Sequence, residues 1–198
     1  METADLKTKM KGNSGFTLLE LMVGVAVAAV LLTIGLPSFS SSIKKNQGVT
    51  DANGLLALLT MARSEAIKRD QTVTLCASAD GASCDSNASN WTEGYCMYVS
   101  ASSSSTCSAA TALRAAAPLA TASSVSASSV YGTNISFNGL GSAGSVNSSN
   151  HFTASAGVFT VTPNNLPAGQ KSLIRCVSVY QSGRIYVKNP NPTSLACT

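Results

Sequence analysis

Charge is what this sequence has least of. Charged residues fill 11% of its 198 positions, under half the roughly 25% usual in soluble domains, so the composition does not describe a charge-studded soluble enzyme. Disorder through charge repulsion is excluded too, because 44% of the chain is hydrophobic. Histidine is nearly absent: His151 stands by itself in a glycine- and serine-rich stretch, which leaves little for metal clusters or histidine acid–base chemistry. No two cysteines have the C-x-x-C spacing of a zinc site. Asp80 and Asp85 read as a turn followed by a loop, and no nucleophile has a base beside it. The expectation is no metal, no cofactor and no enzymatic activity. Acidic residues stop altogether after Glu93, whereas Arg114, Lys171, Arg175, Arg184 and Lys188 follow it. The last 105 residues thus carry five unopposed positive charges, sparse but of the sign that attracts nucleic acid or lipid headgroups.

What the chain does have is one long apolar run. Lys7, Lys9 and Lys11 lead into the small polar residues 12–15, and from Phe16 to Leu36 only Glu20 is charged. As a helix rising about 1.5 Å per residue, this run spans about 31 Å, the thickness of a bilayer's hydrocarbon core. The lysines predict a cytoplasmic N-terminus and a single pass through a membrane. Ala26-Val27-Ala28 has the small-x-small form of a secretory cleavage site. The run continues for eight residues beyond Ala28, however, and a removed signal has no need of them. A charge within such a run costs roughly 2.5–3.5 kcal/mol at mid-membrane and less near an end, so Glu20 is expected to have a partner.

Pro37 is expected to kink the helix without ending it, because apolar residues recur afterwards. Ala52, Leu55, Leu56, Leu59, Ala62, Ala66 and Ile67 follow the spacing of an amphipathic helix. Asp51 is a candidate local cap, Arg63, Lys68 and Arg69 are placed on the outer face, and Gly48 and Gly54 mark a bend or melted turn. After Asp70 the pattern becomes strand-like over 72–76, 94–99, 135–137, 158–162, 173–180 and 184–187, with turns at Asp80-Gly81 and Ser182-Gly183. Serine, alanine and threonine make up 23 of the 30 residues from 101 to 130, which suits exposed loops or weak edge strands. The fold class is α+β: a long N-terminal helix, half membrane and half domain-packed, on antiparallel sheets.

Gly15-Phe16-Thr17-Leu18-Leu19-Glu20-Leu21-Met22-Val23 resembles the cleavage motif of type IV prepilins and type II secretion pseudopilins. The resemblance implies that a prepilin peptidase cuts after Gly15 and methylates the new amine of Phe16, leaving the apolar run on the mature protein. Cleavage also sets a cationic amine four residues from Glu20, a counter-charge for the carboxylate of a neighbouring subunit. The resulting organisation is a leader at 1–15, a transmembrane and filament-core helix at 16–36, its amphipathic continuation at 37–70, and an exported β-domain at 71–198. Ala62-Arg63-Ser64-Glu65-Ala66-Ile67-Lys68-Arg69, Val73-Thr74-Leu75-Cys76, Trp91-Thr92-Glu93-Gly94-Tyr95 and the Ser182-Gly183-Arg184 turn are similar to the FimT/GspH class of minor pilins and pseudopilins. This implies a subunit that primes or caps a type IV pilus or type II secretion filament, in contact with other pilins or pseudopilins. Trp91 is read as core filling.

Six cysteines, at 76, 84, 96, 107, 176 and 197, all follow the membrane segment, and an even count on the exported side reads as disulfides. Fifteen pairings are open; taking nearest neighbours in sequence predicts Cys76–Cys84, Cys96–Cys107 and Cys176–Cys197, the last tying down the Pro190 and Pro192 tail. A second functional expectation is DNA uptake, since some FimT-type proteins bind DNA through Gly-Arg-x-Arg in the late hairpin. Here that stretch reads Gly183-Arg184-Ile185-Tyr186, with Tyr186 in place of the second arginine. A two-residue loop at Ser182-Gly183 puts Arg184, Tyr186 and Lys188 on one face with Lys171 and Arg175, and Ile174, Cys176, Ile185 and Val187 on the other. Cations and an aromatic ring on one surface are what single-stranded DNA binding uses.

Overall fold

A computed structural model describes residues 15–86, 91–100, 107–108, 110–116, 122–147, 151–166, 169–191 and 197, with 34–38 as backbone only. Leader residues 1–14 and Pro192 lie outside them. The chain divides into two units, Met1–Ser41 and Ser42–Thr198. The helix α1 (Leu18–Arg69) carries residues of both, and its assignment is unbroken at Pro37, Gly48 and Gly54. The expected melted turn is therefore absent, and Asp51 lies inside the helix and caps nothing. Gly48 has a packing reason instead: a Cβ there would stand 3.1 Å from the Pro163 ring and 3.2 Å from the Leu173 carbonyl.

Ala52, Leu55, Leu59, Ala62 and Ala66 of α1 are fully buried, the stripe that the 3.6-residue period demands. Two expectations on that helix are corrected. Ile67 is half exposed, because one step along the helix turns it about 100° away from Ala66 and off the buried stripe. Arg63 does not point outward: its Nε donates to the Gly141 carbonyl at 3.0 Å and its Nη2 to the Ser182 carbonyl at 3.1 Å. At the end of α1, Asp70 adopts φ +50°, and the Gln71 N–H bonds back to the Ala66 carbonyl, closing the helix.

Among the described residues ten strands follow: β1 (Val73–Ala77), β2 (Tyr95–Val99), β3 (Ala112–Ala116), β4 (Ser123–Ala127), β5 (Asn134–Phe137), β6 (Ala143–Val146), β7 (Phe152–Ala154), β8 (Gly157–Pro163), β9 (Arg175–Val179) and β10 (Ile185–Lys188). They form a six-stranded sheet, β3-β2-β1-β5-β6-β7, and a four-stranded sheet, β10-β9-β8-β4. All pairings are antiparallel. The Ser/Ala/Thr-rich stretch supplies β3 and β4, each at a sheet edge, where a strand of small side chains need cover only one neighbour. The core joins the buried face of α1 to Val73, Leu75, Ile135 and Phe137 of the larger sheet and Phe159, Val161, Val177 and Val179 of the smaller. Trp91 is fully buried in it. Its ring meets Phe159 edge-on at 5.1 Å, and its Nε1–H reaches the Gly132 carbonyl at 2.9 Å. Such a partner makes a buried indole inexpensive.

Candidate functional site

The N-terminal segment is built around Glu20. Gly15, Phe16 and Thr17 precede the helix, and the Thr17 hydroxyl accepts the Glu20 N–H at 3.2 Å, an N-cap interaction. Glu20 sits in the first turn, where a carboxylate complements the helix dipole. Every side chain from 16 to 33 is exposed, Phe16 at 84%. Among the described residues no helix is long and apolar enough to cross a membrane.

The cysteines form three bridges, Cys76–Cys84, Cys96–Cys107 and Cys176–Cys197. The first two each join a strand of the larger sheet to a loop, Cys76 on β1 to Cys84 and Cys96 on β2 to Cys107. The third joins β9 to the C-terminal tail.

The late hairpin corrects the expected basic face. Its loop is one residue longer than predicted: Tyr180 N–H bonds to the Arg184 carbonyl, Gly183 N–H to the Tyr180 carbonyl, and Gly183 takes φ +73°. This is a three-residue loop closed by a left-handed glycine. The register becomes Ile185↔Val179, Tyr186↔Ser178, Val187↔Val177 and Lys188↔Cys176. One residue of slip exchanges the faces. Arg175, in line with Val177 and Val179, therefore turns inward and is 7% exposed. Its Nη1 donates to the Ser172 and Ile174 carbonyls at 2.9 and 2.8 Å. Lys171 stands exposed on a short 3-10 turn, Lys171–Leu173, ahead of β9. Cys176 leaves the side of Ile185 and Val187 and joins that of Lys188. Of the five candidates, the structure brings together Arg184, Tyr186 and Lys188.

Tyr180 is the member that sequence reasoning missed. It stacks on Tyr186 with ring centres 5.6 Å apart and an interplanar angle of 19°, and the two hydroxyls lie 3.0 Å apart. The Arg184 guanidinium carbon is 5.8 Å from the Tyr186 ring centre, within cation–π range. That hydroxyl contact holds the Tyr186 phenol below the usual tyrosine range and raises that of Tyr180. Beside the stack lies a shallow depression of about 290 Å³, lined by Ala156, Gly157, Val158, Ser178, Val179, Tyr180, Tyr186 and Lys188. The signal available in the sequence was the placement of Tyr180 and Tyr186 about the Ser182-Gly183 turn. It becomes legible only with the right loop length. Arg63 was missed for a different reason, since its acceptors are backbone carbonyls of distant turns. Asp80 accepts N–H bonds from Ala82 and Ser83, which hold its carboxyl well below the usual carboxylate range and organise a turn.

Residues 51–183 match the family described as Type II transport protein GspH. Residues 10–36 match the prokaryotic N-terminal methylation motif. No curated protein matches the chain. Among solved structures, it is similar to the type IV minor pilin FimU of Pseudomonas aeruginosa in two crystal forms. One gives a TM-score of 0.54 at 22% identity, covering 77% of this chain and 96% of that one. The other gives 0.51 at 22% identity, covering 75% and 98%. At that identity the likeness establishes the fold, a helix on antiparallel sheets. With the family match spanning well over half of the sequence and the methylation motif at its head, the chain belongs to the GspH family of pilin-type proteins.

Proposed function

We propose that this protein is a minor subunit of a type IV filament system, serving type IV pilus assembly or type II protein secretion, and that it primes or caps the filament. The observation that carries this reading is the exposure of every side chain from 16 to 33, apolar around the whole helix apart from a few polar positions such as Glu20. A helix that is hydrophobic all round needs cover. Lipid supplies it before assembly and the helices of neighbouring pilins or pseudopilins afterwards. In this reading prepilin peptidase cleaves after Gly15 and methylates Phe16. The subunit then spans the inner membrane once, with its disulfide-bonded head in the periplasm, and the Phe16 amine and Glu20 pair between neighbours. Intact-mass spectrometry of membrane-extracted protein tests this: the expected mature chain begins at Phe16 and carries one methyl group. A mature start near Ala29 returns the chain to the secreted class.

A second reading, DNA capture for uptake, is favoured by the stacking of Arg184 over Tyr186 beside Lys188. With Arg175 inside, Arg184, Lys188 and the separate Lys171 remain to meet phosphates. Affinity for duplex DNA should then fall with salt at a log–log slope between about −1.8 and −2.7 for two to three contacts, and Arg184→Ala should flatten it by about 0.9. Absence of any salt-sensitive mobility shift at low ionic strength removes this reading.

A further inference from the structure

The geometry points to a thiol–disulfide exchange unit made of the four cysteines of the two bridges anchored on the larger sheet, attacked from outside at Cys84. Cys76 and Cys96 are direct cross-strand partners of β1 and β2. Ser78 N–H bonds to the Gly94 carbonyl at 3.1 Å and Ser100 N–H to the Thr72 carbonyl at 2.8 Å. Counting in twos from these makes Cys76/Cys96 a hydrogen-bonded position, where Cα atoms lie about 5.5 Å apart. That is within the roughly 4.4–6.8 Å that a disulfide spans. Each cysteine is nonetheless bonded elsewhere, Cys76 to Cys84 and Cys96 to Cys107, at sequence separations of 8 and 11.

Burial and contact distinguish the four. Cys76, Cys96 and Cys107 pack into one buried cluster, flanked by Tyr98 and Ala112, at 1%, 0% and 5% exposure. Cys84 is exposed. The loop that carries it also touches the cluster, since Cys107 Sγ lies 3.9 Å from the Gly81 carbonyl. An external thiolate therefore reaches these two bridges at Cys84, and the displaced sulfur is Cys76, directly opposite Cys96.

The chemistry balances with a dithiol as the reductant. Its thiolate attacks Cys84 Sγ, forming a mixed disulfide and expelling Cys76 as a thiolate. Cys76 attacks Cys96 Sγ, forming Cys76–Cys96 and expelling Cys107, which takes up a proton. The second thiol of the dithiol closes on the first, leaving Cys84 as a thiol and the dithiol as a cyclic disulfide. Two bridges have become one, and one dithiol has been oxidised. If instead the Cys107 thiolate attacks the mixed disulfide at Cys84, a Cys84–Cys107 bridge forms and the external thiol is returned, an interchange with no net oxidation. The longer side-chain spacing of a hydrogen-bonded position makes Cys76–Cys96 a strained bond, suited to relay more than to rest. A thiol oxidoreductase thus needs to engage only the exposed Cys84 loop to set the pairing of three buried cysteines.

The test treats the full chain, extracted in detergent, with one equivalent of dithiothreitol, followed by acid quench, alkylation and peptide mapping. No Lys or Arg lies between Arg69 and Arg114, so trypsin leaves all four cysteines on one peptide, whereas cleavage at Asp80, Asp85, Glu93 and Tyr98 separates them. In molecules with two of the four alkylated, the expected pattern is label on Cys84 and Cys107 with Cys76 linked to Cys96. Label on Cys76 and Cys84 with Cys96–Cys107 intact overturns the proposal. Cys84→Ser starts the relay at its second step, and there the expected product is a Cys76–Cys96 link with Cys107 alkylated. In that variant a labelled Cys76 beside an intact Cys96–Cys107 bridge overturns it equally.

Discussion

Tyr131 is 2% exposed, stacked on Phe159 at 5.7 Å, with its hydroxyl donating to the Ser155 carbonyl at 3.1 Å and the Val179 carbonyl at 3.4 Å. Burial pushes its phenol up to about 12 from the ordinary tyrosine value of 10.0. An acid whose folded pKa is raised stabilises the fold fully below its unfolded pKa and loses that contribution as pH climbs to the folded value. The domain should therefore lose on the order of 2–3 kcal/mol between pH 10 and about 12 through this group. Tyr131→Phe should cost about 1 kcal/mol near neutrality, from the lost hydrogen bond, and should show a shallower alkaline decline. Urea denaturation from pH 8 to 12 measures both, and equal alkaline slopes in the two proteins refute the assignment.

At the scale of elements, the β9–β10 hairpin depends on a contact between two turns. Gly183 packs so closely that a Cβ would lie 1.8 Å from the Gly141 carbonyl oxygen, and its φ of +73° disfavours any side chain. Arg63 reaches the carbonyls of Gly141 and Ser182 from α1, so one guanidinium ties the helix to a turn of each sheet. Gly183→Ala should cost roughly 2–4 kcal/mol, combining left-handed strain with displacement of the Gly141 turn. Ser182→Ala should stay within about 0.5 kcal/mol, because its carbonyl makes the contact and its side chain is exposed. Thermal unfolding compares them; similar midpoints for both variants would count against a tight turn–turn contact.

At the scale of the whole molecule, Cys176–Cys197 bonds β9 of the smaller sheet to Cys197 and closes a loop at a sequence separation of 21. Its removal by paired serine substitution should cost about 3 kcal/mol on the chain-entropy account. The unfolding midpoint should fall by about 6–12 °C, at roughly 2–4 °C per kcal/mol for a domain of this size. Membrane extraction should be unchanged, since the apolar helix lies at the other end of the sequence. A midpoint within experimental error of the parent shows that this bridge does not stabilise the domain.

Much of this protein was legible from local pattern. Residues 52, 55, 59, 62 and 66 announced a buried helical stripe, because a helix repeats its face within a few residues. The Ser/Ala/Thr-rich composition of 101–130 suited exposed loops or weak edge strands, because small side chains cannot fill a sheet's centre, and the structure places the edge strands β3 and β4 there. The α+β class followed from the change of period after Asp70. Other features depended on residues far apart in the chain. Arg63 has the spacing of an outward charge, yet carbonyls 78 and 119 positions away capture it. Arg175, Tyr180 and Tyr186 took their faces from a single residue of loop length, which was settled by Gly183 docking on Gly141. Strand alternation repeats every two residues, so local pattern tells which side chains share a face within one strand. Only the tertiary contact at the turn decides which face of the next strand they join.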